Sequence, residues 1–229
     1  MATLNEIVAN IRNIAGGGVP SDDDVPSYEQ VKFWVNQYRA LLIKRDLDKG
    51  KSINPDVVSD LGCVELKLVD AAECCDIKAG CVVLKTAVKI PDTIELNQYN
   101  AITFVGLIDK ATGFQITTPV KAKWTKYNRF TSSAAEAYLL NGHIYITNNK
   151  VIRYINIRGI FNDPASLSSF KCADGATPCY TDDSQYPVSD WMIPAMTELI
   201  MTKELKYTIT LPEDAQNDAK DNKPQMPVK

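Results

Sequence analysis

The sequence predicts an α+β protein: a helical bundle built from both chain ends, with an antiparallel β-domain (a meander or small barrel) inserted between them. Three observations carry this expectation. Apolar side chains recur every three or four positions near the amino end and again over 189–207, as in helices with one buried face. From Cys63 to Ile160 the period shifts to two, or to short apolar runs broken by turn residues. The length of 229 residues, 45% apolar and 23% charged, suffices to bury a core in one or two domains. The expected organisation is a discontinuous helical domain of residues 1–61 plus 187–212 and a β-rich domain of 62–171. A surface loop of 172–186 and a polar tail of 213–229 complete it.

Leu4, Ile7, Val8, Ile11 and Ile14 make one helical face over Thr3–Ala15, which Gly16-Gly17-Gly18 must end. Val19 to Pro26 reads as an acidic loop. Ser27, with Gln30 three residues on, opens a helix to about Asp46 in capping-box fashion. Its stripe is Val31, Trp34, Val35, Tyr38, Leu41 and Leu42, with Arg39, Lys44 and Arg45 off the stripe or near the end. Asp48-Lys49-Gly50 stops it, and Asn54 or Asp56 opens a short helical turn through Val57, Val58 and Leu61.

Val64, Leu66 and Leu68 alternate with Glu65 and Lys67 as in a half-buried strand. Val82–Ile90, Ala101–Ile108 and Phe114–Thr118 are further strands, the last two joined by a turn at Asp109–Gly113. Asn141-Gly142 is the dipeptide a type I′ turn prefers, so Tyr138–Leu140 and His143–Ile146 form a hairpin. Asn148-Asn149 turns the chain into Val151–Ile160. Asp163–Tyr186, rich in Ser, Asp, Gly and Pro, reads as a long surface loop of the kind that serves a partner. Ser189 caps the last helix, whose face is Trp191, Met192, Ala195, Met196, Leu199, Ile200 and Leu205, with Pro194 in its first turns. Beyond Pro212 the chain is too polar to build a core.

Charge and motif content exclude several chemistries. A net charge of −3 and a pI near 5.3 argue against gripping nucleic acid through phosphates, and the 25 basic residues read as scattered. No run of about 18 apolar residues suggests a membrane span. The amino end lacks the basic start and apolar block of a secretory signal. Folding in a cytoplasm, with six mostly reduced cysteines, is the expectation. Cys63, Cys74, Cys75, Cys81, Cys172 and Cys179 lack zinc-site spacing and read as small buried hydrophobes, Cys172 and Cys179 being close across a loop. His143, the single histidine, flanks a turn and reads as exposed or half-exposed, a turn residue rather than a general base, which would need an orienting partner and a nucleophile within hydrogen-bond reach. Asp22-Asp23-Asp24 and Asp182-Asp183 lack the alternation and closing Glu of a calcium loop. No catalytic, cofactor-binding or metal-binding residue is assigned, and no cofactor is expected. Trp34 and Trp191 read as the core where the two end helices meet. Trp124, Tyr127 and Phe130 read as packing on a strand face rather than a base-stacking platform.

Three segments carry a family resemblance: Tyr28-Glu29-Gln30-Val31 leading to Tyr38–Ile43; Lys126–Thr131 ahead of Leu140–Ile146; and Tyr186–Pro194 with its helix. Together they resemble structural proteins of crAss-like, short-tailed bacteriophages, and more broadly the head-to-tail connector (adaptor or ring) proteins of short-tailed phages. The resemblance implies a bundle from both chain ends and a ring of about twelve copies below the portal, around the channel through which the genome leaves. It implies a virion protein assembled in the host cytoplasm, whose partners are itself, the portal and other tail rings. DNA passes without specific binding, because an acidic wall offers no counterion-release gain, and no membrane is involved. On this reading the tail from Glu213 to Lys229 docks on the portal or a neighbouring ring. The alternative is a β-barrel binding module that holds nucleic acid or carbohydrate through Trp124, Tyr127 and Phe130. A third class, a thiol enzyme pairing Cys172 or Cys179 with His143, requires a thiolate of lowered pKa.

Overall fold

The computed structural model describes residues 2–18, 26–70, 82–97, 101–125, 127, 129–130, 134–171 and 177–206. The expectations for Asp22–Asp24, for Cys74, Cys75, Cys81 and Cys172, and for the 213–229 tail lie outside the described residues.

Helix α1 (Leu4–Ala15) opens with a complete capping box, Thr3 and Glu6 each satisfying the other's backbone N–H. It closes on Gly17 and Gly18, whose φ of 63° and 87° only glycine adopts freely. Helix α2 (Tyr28–Asp48) starts where Ser27 Oγ accepts from the Gln30 N–H at 3.2 Å and ends at Gly50, φ 79°. Asn54 caps a 3-10 turn, Pro55–Val57. These boundaries match the sequence expectations because caps and glycines are local chemistry.

Eight strands follow among the described residues: β1 (Ser59–Asp60), β2 (Val64–Asp70), β3 (Val82–Thr86), β4 (Ile102–Gly106), β5 (Gln115–Thr117), β6 (Glu136–Leu140), β7 (His143–Thr147) and β8 (Tyr154–Gly159). They form one sheet in the order β1-β8-β2-β3-β7-β6-β5, with β4 also on β8. A bridge from Gly106 to Gly113 and a 2.7 Å bond from Phe114 N–H to Val105 O tie the start of β5 back to β4, so the sheet curls upon itself. β5 and β6 run parallel, and every other named pair is antiparallel. The β6–β7 turn is type I′ as expected: Asn141 and Gly142 have φ of 51° and 74°. Beside it, Tyr138 and Tyr145 stack across the strands with centroids 5.3 Å apart.

The predicted helical bundle with an inserted β-domain is corrected. Helix α4 (Met192–Leu199), continued by a π-helical turn (Ile200–Leu205), does pack on α2, as does α1. Yet the curled sheet dominates, and the helices' buried faces join one cluster with it, running from Leu4 through Val64, Ile146, Ile157 and Phe161 to Leu205. The helices are too few and the sheet too large for a bundle to be the architecture. Nor is the sheet a meander, because β8, last in the chain, pairs with β1, β2 and β4.

Several side chains depart from expectation. Ser189 does not cap α4; its side chain is buried and accepts from Asn54 Nδ2 at 2.8 Å, and the helix begins at Met192. Trp191 is 52% exposed, with Lys51 Nζ 4.8 Å over its ring, while Trp34 packs half-buried against the core. No ring contact joins them among the described residues. Leu41 and Leu68 are exposed instead of buried. Arg39, expected off the buried stripe, is fully buried. Its Nε donates to Pro187 O at 2.6 Å and its Nη1 to Phe161 O at 2.9 Å, with Tyr186 beneath it. Burial lowers its pKa against the opposing influence of Tyr186, Tyr180 and Asp163. The stretch read as a surface loop contributes Pro164, Leu167, Phe170, Tyr180 and Tyr186 to the interior.

Candidate assembly surface

Between β5 and β6 the chain forms a helix that the sequence reading missed, α3 (Pro119–Thr125). Thr118 starts it: its carbonyl accepts from Ala122 N–H at 2.9 Å and its hydroxyl from Lys121 N–H at 3.3 Å. Pro119 follows at the first helical position, where its missing N–H costs nothing. α3 packs on β6, and Ala122 is its buried residue, 8% exposed. With so small an inward side chain, the large ones face out. Val120 is 67% exposed, Trp124 71%, Tyr127 78% and Phe130 88%. Trp124 and Tyr127 lie against each other, centroids 6.5 Å apart. The expected strand-face packing of Trp124, Tyr127 and Phe130 is thus corrected, for these aromatics stand on and beyond a short surface helix.

Cations accompany them. From Lys110 to Ala135 the sequence holds Lys110, Lys121, Lys123, Lys126 and Arg129 and no acid. The net charge of −3 therefore divides into +5 on this segment and −8 on the remainder. Composition read whole hid this, and the acid-free run was the signal that shows it. Large apolar side chains clustered at such exposure mark an interaction surface, and Trp, Tyr, Phe and Arg are the types enriched at interface cores.

A second surface lies over α2. A groove of about 560 Å³ is lined by Leu41, Lys44, Ile90, Pro91, Ile94 and Leu139 among others, with Asp92 and Glu95 exposed beside it. A smaller hollow of about 320 Å³ sits at the end of α2, where Lys51 bridges Asp46 at 3.0 Å with its ammonium over the Trp191 ring.

His143 is half-buried and its Nδ1 lies 3.1 Å from Thr86 O and 3.2 Å from Thr86 Oγ1. Cys63 and Cys179 are of intermediate burial, and the Cys179 N–H donates to Phe170 O at 2.8 Å. Among the described residues no three His, Cys, Asp or Glu side chains gather in a way that could hold a metal. No helix among them is long and apolar enough to cross a membrane.

These outward surfaces fit what comparison with known proteins finds. A family model described as phage tail ring protein 2 matches residues 6–223. The chain belongs to this family of phage tail ring proteins. It is similar to "Ring protein 2" of Bacteroides phage crAss001, 26% identical over 218 residues that cover 89% of this chain and 91% of that protein. The likeness to crAss-like phage structural proteins, read from the Tyr28–Ile43, Lys126–Ile146 and Tyr186–Pro194 segments, holds. As a member of the ring-protein family, the chain is a structural component of the phage tail.

Proposed function

We propose that about twelve copies of this chain close into a ring below the portal, at the head-to-tail junction, around the channel through which the genome leaves. The family match over residues 6–223 is the observation that carries this reading. Its physical support is the pairing of a rigid core with outward apolar surfaces. A ring subunit must keep its shape while meeting two neighbours through two different patches. The curled sheet and its helices share one core, and the aromatic α3 and the groove over α2 supply distinct surfaces. An acid-rich remainder of −8 gives a channel wall that DNA does not grip. Partners on this reading are the portal and adjacent tail rings, met in the host cytoplasm during particle assembly.

Electron micrographs of the full-length chain, alone and mixed with portal, test the reading. Closed rings of uniform diameter stacked on the portal are expected, and particles that never close in either sample would refute it. A second reading is favoured by one observation, the exposure of Trp124, Tyr127 and Phe130, which suits base stacking. Filter binding at low salt separates the two. The ring reading expects negligible retention of DNA, and tight retention would favour a nucleic-acid module.

A further inference from the structure

We infer that α3 and the aromatic turn after it form the contact between neighbouring copies, seated on an acid-bearing face of the next subunit. This rests on the ring reading and names the element that makes the ring. Val120, Trp124, Tyr127 and Phe130, each 67–88% exposed, present more apolar surface than a lone subunit keeps wet without a use. Four of the five cations of the acid-free 110–135 segment accompany them in sequence, Lys110 being held instead by Asp60 at 2.8 Å, whereas the rest of the chain sums to −8. A patch meeting its own copy across a two-fold axis would set the exposed cations Lys121 and Arg129 against their own copies, which repels. The charge balance therefore favours a head-to-tail contact, patch against a different and acidic face, which is the arrangement that generates rings.

The alternative occupants fit less well. An aromatic, cationic surface turned to the channel would stack and neutralise the nucleic acid it is meant to release. Buried between copies, the same surface is hidden from DNA and the channel is lined from the acidic remainder. A different tail protein could supply acid equally, but the family's ring requires contact between identical chains, and this chain carries both halves of the complementarity.

Sedimentation of the full-length chain up to about 1 mM reads self-association directly. Trp124→Ala with Tyr127→Ala, and separately Lys121→Glu with Arg129→Glu, alter exposed side chains; circular dichroism confirms that both variants fold. The wild type is expected to self-associate. Each variant should do so at least about tenfold more weakly, as removal of an interface hot spot requires. Raising salt should weaken the wild type, as screening of opposite charges demands. A photo-crosslinker at position 127 should join two copies of the chain through an acid-rich segment. Variants that associate like the wild type would overturn the inference while leaving the ring reading intact. A wild type monomeric throughout would overturn it too, since an exposed preformed patch needs no template, and the micrographs with portal would still decide the ring. Co-sedimentation with a short single-stranded DNA, lost in the same variants, would reassign the patch to nucleic acid.

Discussion

Asp60, on the short β1, receives the Lys110 ammonium at 2.8 Å, Arg158 Nε at 3.2 Å, the Asn156 amide and the Gly62 N–H at 2.8 Å. Burial alone would raise its pKa, but the hydrogen bonds from Lys110, Gly62 and Asn156 win and hold it below the usual carboxylate value of 3.8. A depressed carboxylate stabilises the fold fully above the pH where the unfolded group ionises. That contribution fades as pH falls through the lower folded value. Asp60→Asn should therefore cost about 1 kcal/mol at neutral pH, a modest figure because the site is part-exposed. It should also flatten the loss of stability below about pH 4; urea melts at several pH values check both. Arg39 is the larger stake. Truncation to Ala would open a cavity and leave the Pro187 and Phe161 carbonyls without their donor. A loss of about 2–4 kcal/mol in denaturant unfolding is expected. Neither role was legible from residue type, since an Arg at mid-helix and an Asp in a loop are ordinary surface residues until the chain brings distant carbonyls or cations to them.

Elements were legible where their ends are written in local chemistry. Ser27, the triple glycine and Asn141-Gly142 each fix a boundary through hydrogen bonds or φ within four residues, and each is found where expected; the Thr3–Glu6 box that opens the first helix is equally local but was not read. The joining of elements was not legible. β8 pairs with β1, β2 and β4 across most of the chain, and the parallel β5–β6 pair encloses α3 in its crossover. The exposure of α3 is a consequence of that crossover. Its sequence trace, four cations set among Trp124, Tyr127 and Phe130, was outweighed by the overall acidity. Gly106 shows how tightly the sheet turns at this point. A Cβ there would stand 2.3 Å from Thr112 O and 2.5 Å from the Phe104 ring. Backbone leaves no room to yield, so Gly106→Ala should destabilise by about 1–3 kcal/mol, measurable by thermal melting. Gly142→Ala meets the flexible Lys89 side chain instead, and there the φ of 74° sets a smaller cost of about 1 kcal/mol.

At the scale of the molecule, helices from both ends and the sheet between them close around a single cluster of buried side chains. Such a core holds α3 and the groove over α2 in fixed relation, which a subunit needs if identical contacts are to repeat around an axis without accumulating error. The expected meeting of Trp34 with Trp191 was the wrong emblem of this, because Trp191 lies half-exposed under Lys51 and the joint is made by smaller residues and Arg39. Native mass spectrometry of the full-length chain assembled with portal tests the ring most directly. A single closed species, near twelve copies, is the result this account predicts. A mixture of open chains of every length, or a lone monomer beside intact portal, would contradict it.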